Sequence, residues 1–340
     1  MSSEFTRCLV TRCLVTSLTR YLMTMQLIQR LLTGDRRTIA RLITIIENDG
    51  AEAQEALAAL YPHTGRAHIV GVTGAPGTGK STLVNELAKA YRKIDCTVGI
   101  VAVDPTSPFS GGALLGDRIR MRDLSGDPGI FIRSMATRGS LGGLARATAD
   151  AIKVLDAAGY QTVFVETVGA GQAEVDIAKA AHTTIVVEAP GLGDDIQAFK
   201  AGITEIADIF VVNKADREGA DSTALALQMI LDLNHSSHLS SLAPRWRPPI
   251  CKTVALHGRG VGAVVEAIEE HVAYLQESGN LQQRERERVE GEFRSILTQE
   301  MARSFYERLD KAQFDSLIDR IIRRELDPYS AAARLLEGQK

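Results

Sequence analysis

The chain has 340 residues, 45% hydrophobic and 24% charged, with a formal net charge of −3. That is enough apolar content for a full α/β core with an appendage, and the near-neutral charge argues against nucleic acid as the main partner. Four cysteines, Cys8, Cys13, Cys96 and Cys251, form no CxxC pair, which fits a reducing compartment better than a disulfide framework or thiolate zinc site, and no apolar run approaches the ~20 residues of a membrane span.

The expectation is a cytoplasmic protein with no nucleic-acid or membrane partner. Residues 1–24 stand apart, because Thr6-Arg7-Cys8-Leu9-Val10 is repeated at once as Thr11-Arg12-Cys13-Leu14-Val15. So short and perfect a duplication does not read as core. With Glu4 its one acid, the segment is read first as an extended or wrongly assigned start upstream of Met23 or Met25. The alternative is a presequence, which would place the chain in the mitochondrial matrix. Residues 25–62 read as a helical N-terminal extension. Leu27, Ile28, Leu31 and Leu32, then Ile39, Leu42, Ile43 and Ile46, recur at helical spacing, and Gly34-Asp35 breaks the pattern with Asp35 as an N-cap. Tyr61-Pro62-His63-Thr64-Gly65 marks a turn into the main domain, residues 63–278.

In that domain short β-branched runs alternate with helical patterns: His68 to Thr73, Thr97 to Val103, Thr162 to Glu166, Thr184 to Glu188, Asp208 to Asn213 and Ile250 to Val254. The runs are almost wholly apolar instead of alternating, as in strands covered on both faces. The fold class is therefore α/β, with a doubly wound, mostly parallel sheet. After the first run comes Gly74-Ala75-Pro76-Gly77-Thr78-Gly79-Lys80-Ser81-Thr82. Its glycines turn backbone N–H groups around phosphates, the helix starting near Lys80 adds its positive end, Lys80 reaches the terminal phosphates and Ser81 ligates Mg²⁺.

Asp104 ends the second run, and a Pro-, Ser- and Gly-rich loop leads from it to Asp117. Both acids are candidates for the Mg²⁺ shell of a first switch. Glu166 ends the third run at the carboxyl edge of the sheet, where ligands of open α/β sheets bind; it is expected to touch Mg²⁺ or its water, and the glycines after it suit a segment that follows a γ-phosphate. Gln172, following a glycine, is a candidate to orient an attacking water, although it stands some way along the chain from Glu166. The tetrad Asn213-Lys214-Ala215-Asp216 ends the fifth run. A carboxylate at Asp216 accepts from N1–H and the 2-amino group of guanine, whereas adenine offers an acceptor at N1. Lys214 is expected along the base plane, with Asn213 tying the loop together. The nucleotide is therefore GTP or GDP.

Residues 279–340 are helical, from the charge run Gln283-Arg284-Glu285-Arg286-Glu287-Arg288 through Val289, Phe293, Ile296 and Leu297 to two helices near Lys311 to Arg324 and Tyr329 to Leu336, the last opened by Asp327-Pro328. The charge run reads equally as a solvated helix face or as part of a dimer surface.

The segments GAPGTGKS, VDPTSPFSGGALLGDRIRM, FIRSMATRGSLGG, VETVGAGQAEVD, PGLGDDIQAFKAGITEIADIFVVNKAD and LDPYSAAARLL together resemble, in order, the MeaB/ArgK family of P-loop GTPases, over nearly everything after about residue 27. The resemblance implies a homodimeric GTPase that serves adenosylcobalamin-dependent methylmalonyl-CoA mutase as a chaperone, supporting cofactor loading and protecting the enzyme from inactivation. It also implies a further loop, Pro190 to Lys200, with Lys200 reaching the nucleotide site. One departure is at Thr253-Val254-Ala255-Leu256, where a Ser-Ala pair usually stands. Val254 lacks the hydroxyl, and the Ala255 N–H is left to reach guanine O6.

The alternative is a P-loop kinase acting on a protein or metabolite, against which guanine selection argues. A nickel-inserting GTPase lacks its His-rich tract here, since His235-Ser236-Ser237-His238 is the one close histidine pair. A non-enzymatic dimer scaffold would require undetectable hydrolysis. No general base accompanies the phosphate loop, so slow intrinsic hydrolysis is expected, to be accelerated by a partner that orders the switches. Asp216→Asn is expected to weaken GTP and favour xanthosine triphosphate, whose 2-oxo group pairs with the new amide; competition binding checks this, and unchanged GTP affinity would remove the argument for guanine.

Overall fold

The computed structural model describes residues 22–48, 50–104, 121–124, 126–136, 143–167, 180–191, 203–236 and 246–337. The chain divides into two compact units, Met1–Arg284 and Glu285–Lys340. Among the described residues the first holds seven strands: β1 (His68–Thr73), β2 (Val98–Asp104), β3 (Ile130–Ala136), β4 (Thr162–Glu166), β5 (Thr183–Glu188), β6 (Ile209–Val212) and β7 (Ile250–Lys252). They form one sheet in the order β3-β2-β4-β1-β5-β6-β7, every neighbouring pair parallel. Helices follow in chain order: α1 (22–32), α2 (Arg36–Glu47), α3 (Ala51–Leu60), α4 (Lys80–Lys93), α5 (Gly143–Ala157), α6 (Ala220–Ser236) and α7 (Val261–Glu277).

The expected α/β sheet is present, and alternation along its strands buries apolar side chains on both of its faces. On one face Ile69, Val101, Val103, Val163 and Val165 pack with Leu42, Ile43, Ala151 and Leu155 of the helices. On the other, Val70, Val72, Ile100, Phe164, Ile185 and Val211 pack with Leu83, Val84 and Leu87 of α4 and Val264 and Ile268 of α7. Burial of both faces is why these strands read as continuous apolar runs. β3 is the strand that the run pattern missed. Arg133 and Ser134 interrupt it, and Arg133 is matched only across the fold, by an ion pair with Glu47 of α2 and a 3.2 Å bond to Thr44.

The N-terminal helices pack on this edge of the sheet. Asp35 caps α2 as expected, its Oδ1 accepting from the Arg37 N–H at 3.1 Å. Ile39, Leu42, Ile43 and Ile46 are buried along α2, so truncating one to Ala costs roughly 2–5 kcal/mol. Arg36 donates to the carbonyls of Asp127 and Pro128 and lies 5.7 Å from the centre of the Phe131 ring. The entrance to β1 is held by Asp156, whose carboxylate accepts the N–H groups of Gly65, Arg66 and Ala67 at 2.5, 3.1 and 2.9 Å.

A polar cluster closes the amino edge of the sheet. Asp208, just before β6, accepts from the Thr184 N–H at 2.8 Å and from both terminal nitrogens of Arg284 at 2.7 and 2.9 Å. Its carbonyl accepts from Trp246 at 2.7 Å. His271 of α7 stands 3.3 Å from Asp208 and 2.8 Å from the Thr183 hydroxyl, which contacts His68 at 2.9 Å. Arg284 lies in α8 (Asn280–Arg308) and also donates to the His182 carbonyl at 2.7 Å. One arginine of the charge run is thus an anchor and not part of a solvated face. Burial pulls the Asp208 carboxyl up, but hydrogen bonds from His271 and Arg284 outweigh it and hold it below the usual range.

The second unit contains the remainder of α8, then α9 (Lys311–Ile322) and α10 (Pro328–Glu337). Arg288 pairs with Glu285 at 2.6 Å, and Arg294 with Glu290 at 2.6 Å. Phe293, Ile296, Leu297 and Met301 are exposed along α8, and only Leu317 and Ala331 of this unit are buried among the described residues.

Burial pushes the His68 imidazole down to about 3 from its ordinary 6.5, helped by His182 and His271 and opposed by Asp208. The unfolded chain therefore takes up that proton first, and stability falls as pH drops below 6.5 towards 3. Protonation of Asp208 adds to the loss as pH falls below its ordinary 3.8, since its folded value is depressed. Melting temperatures across pH 7 to 4 check this: His68→Gln is expected to flatten the decline, and an unchanged slope would show that His68 does not carry it.

Candidate functional site

The loop between β1 and α4 lies at the carboxyl edge of the sheet. Gly74, Gly77 and Gly79 have φ of 139, 85 and 97°, a region that other residues enter at a cost. Space adds to the constraint, since a Cβ on Gly74 would run into the Val187 carbonyl and one on Gly79 into the Asn213 amide. Pro76 sits between the first two in the sequence. Thr78 is fully buried, and its hydroxyl donates to the Ala75 carbonyl at 3.0 Å. Lys80 is buried, its Nζ donating to the carbonyls of Gly74 and Ala75 at 2.9 and 3.1 Å. Among the described residues no side chain caps α4, so its first turn, with half-buried Thr82, presents the positive end of the helix to the loop. An anion is what such a cradle holds.

Glu166 enters from β4, whose pairing sets it beside Val72. The Ser81 hydroxyl donates to Glu166 Oε1 at 2.5 Å, both residues being buried. A hydroxyl and a carboxylate oxygen side by side, next to an anion cradle, form a hard-oxygen donor set of the kind Mg²⁺ takes with phosphates. The chemistry of these residues therefore fits that ion. Asp104 ends β2, with its side chain outside the described residues. Asp117, Gln172 and Lys200 also lie outside them.

Asn213 lies just past β6, 3% exposed. Its Nδ2 donates to the Thr78 carbonyl at 2.9 Å, while its Oδ1 accepts from the Thr253 hydroxyl and the Ala255 N–H, both at 3.0 Å. One side chain thus joins the phosphate loop, its own loop and the loop after β7. Lys214, at φ 56°, reaches back so that its Nζ donates to the Gly77 carbonyl at 2.6 Å. Asp216 is exposed at the rim. The Ala255 N–H, expected at guanine O6, donates to Asn213 in this structure. Val254 is buried, and Leu256 is 77% exposed.

The hydroxyl missing at Val254 is supplied one residue earlier, at Thr253, a residue to which no expectation from the sequence assigned a role. That neighbour supplies a hydroxyl to Asn213, and the signal was its place at the end of the β7 run. A carboxylate at the rim of a loop bound directly to an anion cradle is an arrangement that can read a purine edge while the cradle holds its phosphates.

A family model described as "Methylmalonyl Co-A mutase-associated GTPase MeaB" matches residues 39–310. A protein of Pyrococcus abyssi that carries a GTPase name is 54% identical over 312 residues, covering 92% of this chain and 95% of that one. A mitochondrial methylmalonic aciduria type A homolog of Caenorhabditis briggsae is 31% identical over 285 residues, covering 78% and 67%. A crystal structure named as a LAO/AO transport system kinase aligns with a TM-score of 0.70 at 27% identity, covering 93% of this chain and 97% of that one. The phosphate cradle, the guanine-type loop joined to it and the extent of these matches agree: the chain belongs to the MeaB family of P-loop GTPases and binds guanine nucleotide.

Proposed function

We propose that this GTPase is a nucleotide-driven chaperone of an adenosylcobalamin-dependent methylmalonyl-CoA mutase, supporting loading of the cofactor and protecting the mutase from inactivation. The family's description as mutase-associated and the methylmalonic aciduria name of the C. briggsae relative support the choice of client. The observation that carries the nucleotide half is the Asn213 side chain, which couples the phosphate loop to the base loop.

In this reading residues 74–82 hold the triphosphate, with Lys80 neutralising its terminal charge. Asp216 accepts from the guanine edge, Lys214 flanks the base, and Asn213 with residues 254–256 shapes its pocket. Ser81 and Glu166 would hold Mg²⁺, with Asp104 and Asp117 as further candidates, and the bound ion would neutralise charge on the phosphates. Gln172 orients the attacking water and Lys200 approaches the phosphates. Positioning and charge stabilisation supply most of phosphoryl-transfer catalysis, so a client that completes this arrangement of groups accelerates hydrolysis. The exposed apolar residues of α8, with Ile318, Ile322 and Tyr329, suit a homodimer formed through residues 279–340. The reading keeps the chain in the cytoplasm, where its cysteines stay reduced.

A second reading, transfer of the γ-phosphate to a protein or metabolite, is favoured by the kinase name of the structural relative. The two part over where the phosphate goes. With GTP as sole substrate, Lys80→Ala is expected to abolish phosphate release at an unchanged melting temperature; retained turnover would place the site elsewhere. Purified chain with GTP and Mg²⁺ is expected to slow inactivation of a methylmalonyl-CoA mutase holoenzyme during turnover, and Lys80→Ala to lose that protection. A mutase that inactivates equally fast with and without the chain would overturn the chaperone role.

A further inference from the structure

Two threonines bracket the site without facing it. Thr73 is the last residue of β1, directly before Gly74, and Thr167 directly follows Glu166 at the end of β4. Both are buried, at 0 and 1% exposure. The Thr167 hydroxyl donates to Thr73 Oγ1 at 3.1 Å, and the Thr167 N–H donates to the Val72 carbonyl at 3.1 Å. The β1–β4 ladder, which sets Val72 beside Glu166, is thereby carried one residue further.

Strand alternation places this pair away from the chemistry. Ile69, Val163 and Val165, which share its parity, belong to the core beneath α2 and α5. Val72 and Phe164, which share the parity of Glu166, belong to the core beneath α4. Val has nearly the shape of Thr and fills equivalent positions along these strands, so packing alone calls for no hydroxyl there. Burying hydroxyls is unfavourable unless they find hydrogen-bond partners, and here each is the partner of the other. The pair is a specific lateral tie between the strand that delivers the phosphate loop and the strand that delivers Glu166.

We infer that Thr73 and Thr167 are positioning residues of the GTPase site: their hydroxyl bond locks the end of β4 to the entrance of the phosphate loop and so holds Glu166 in register with Ser81. The inference rests on the assignment of Mg²⁺ to Ser81 and Glu166. A register error of a fraction of an ångström separates two oxygens that stand 2.5 Å apart, and a small ion with strict octahedral demands tolerates little of it.

The test follows release of a fluorescent GDP analogue from the full chain as free Mg²⁺ is titrated. Thr167→Val is expected to raise the Mg²⁺ concentration that half-maximally slows release about tenfold, the scale at which groups behind metal ligands act, with release in EDTA unchanged. Thr167→Ser should stay near the parent. Thr73→Val should reproduce the shift, and the double variant should add little to either single one, because one bond is lost in each. A Thr167→Val titration that superimposes on the parent, or a Thr167→Ser chain as impaired as Thr167→Val, overturns the tie. Glu166→Gln separates the two layers: a shift there without one in Thr167→Val removes the tie alone, and no shift in either removes the metal assignment beneath it.

Discussion

The Asn213 carboxamide holds the nucleotide edge of the molecule together. With one donor and one acceptor oxygen it ties three loops that leave different strands, and each bond is close to 3 Å. The bonds are buried, where an unmet amide or carbonyl is costly. Moving the phosphate loop or the loop after β7 away from Asn213 therefore leaves buried polar groups unmatched on both sides of the broken contact. Gly79 is the other half of the constraint, since the Asn213 amide occupies the space that a Cβ would need.

The opposite edge of the sheet is built on charge. Asp208 gathers a backbone N–H, a bidentate guanidinium and an imidazole, and planar pairing of that kind is what arginine supplies and lysine does not. The Thr183 hydroxyl extends the contact from His271 to His68, so α7, α8 and the starts of β1, β5 and β6 share one network. β1 thus begins in this cluster and ends at the phosphate loop. The same strand that presents the nucleotide cradle is held at its base by groups whose charge state shifts the stability of the fold.

The second unit follows a different logic. Its helices bury little of their own apolar surface, and i,i+3 and i,i+4 ion pairs such as Arg288–Glu285 and Arg294–Glu290 support a helix weakly in water. Exposed Phe293, Leu297 and Met301 need a further surface for their burial to contribute to stability.

The sequence by itself determined whatever rests on neighbours along the chain. The spacing of Gly74, Gly77 and Gly79 fixes a loop only glycine can trace, the Asp35 cap acts over two residues, and the unbroken apolar runs follow from strands covered on both faces. Near-complete segments in family order identified the GTPase as well. Tertiary structure decided everything that depends on partners brought from far away. β3 was hidden because Arg133 is acceptable in a strand only once Glu47 stands beside it. Arg284 read as one charge among many until Asp208 and the His182 carbonyl met it. Thr253 and Thr167 carry no local mark, because a hydroxyl's worth is set by the atom that folding places within 3 Å of it, and that atom lies dozens of residues away.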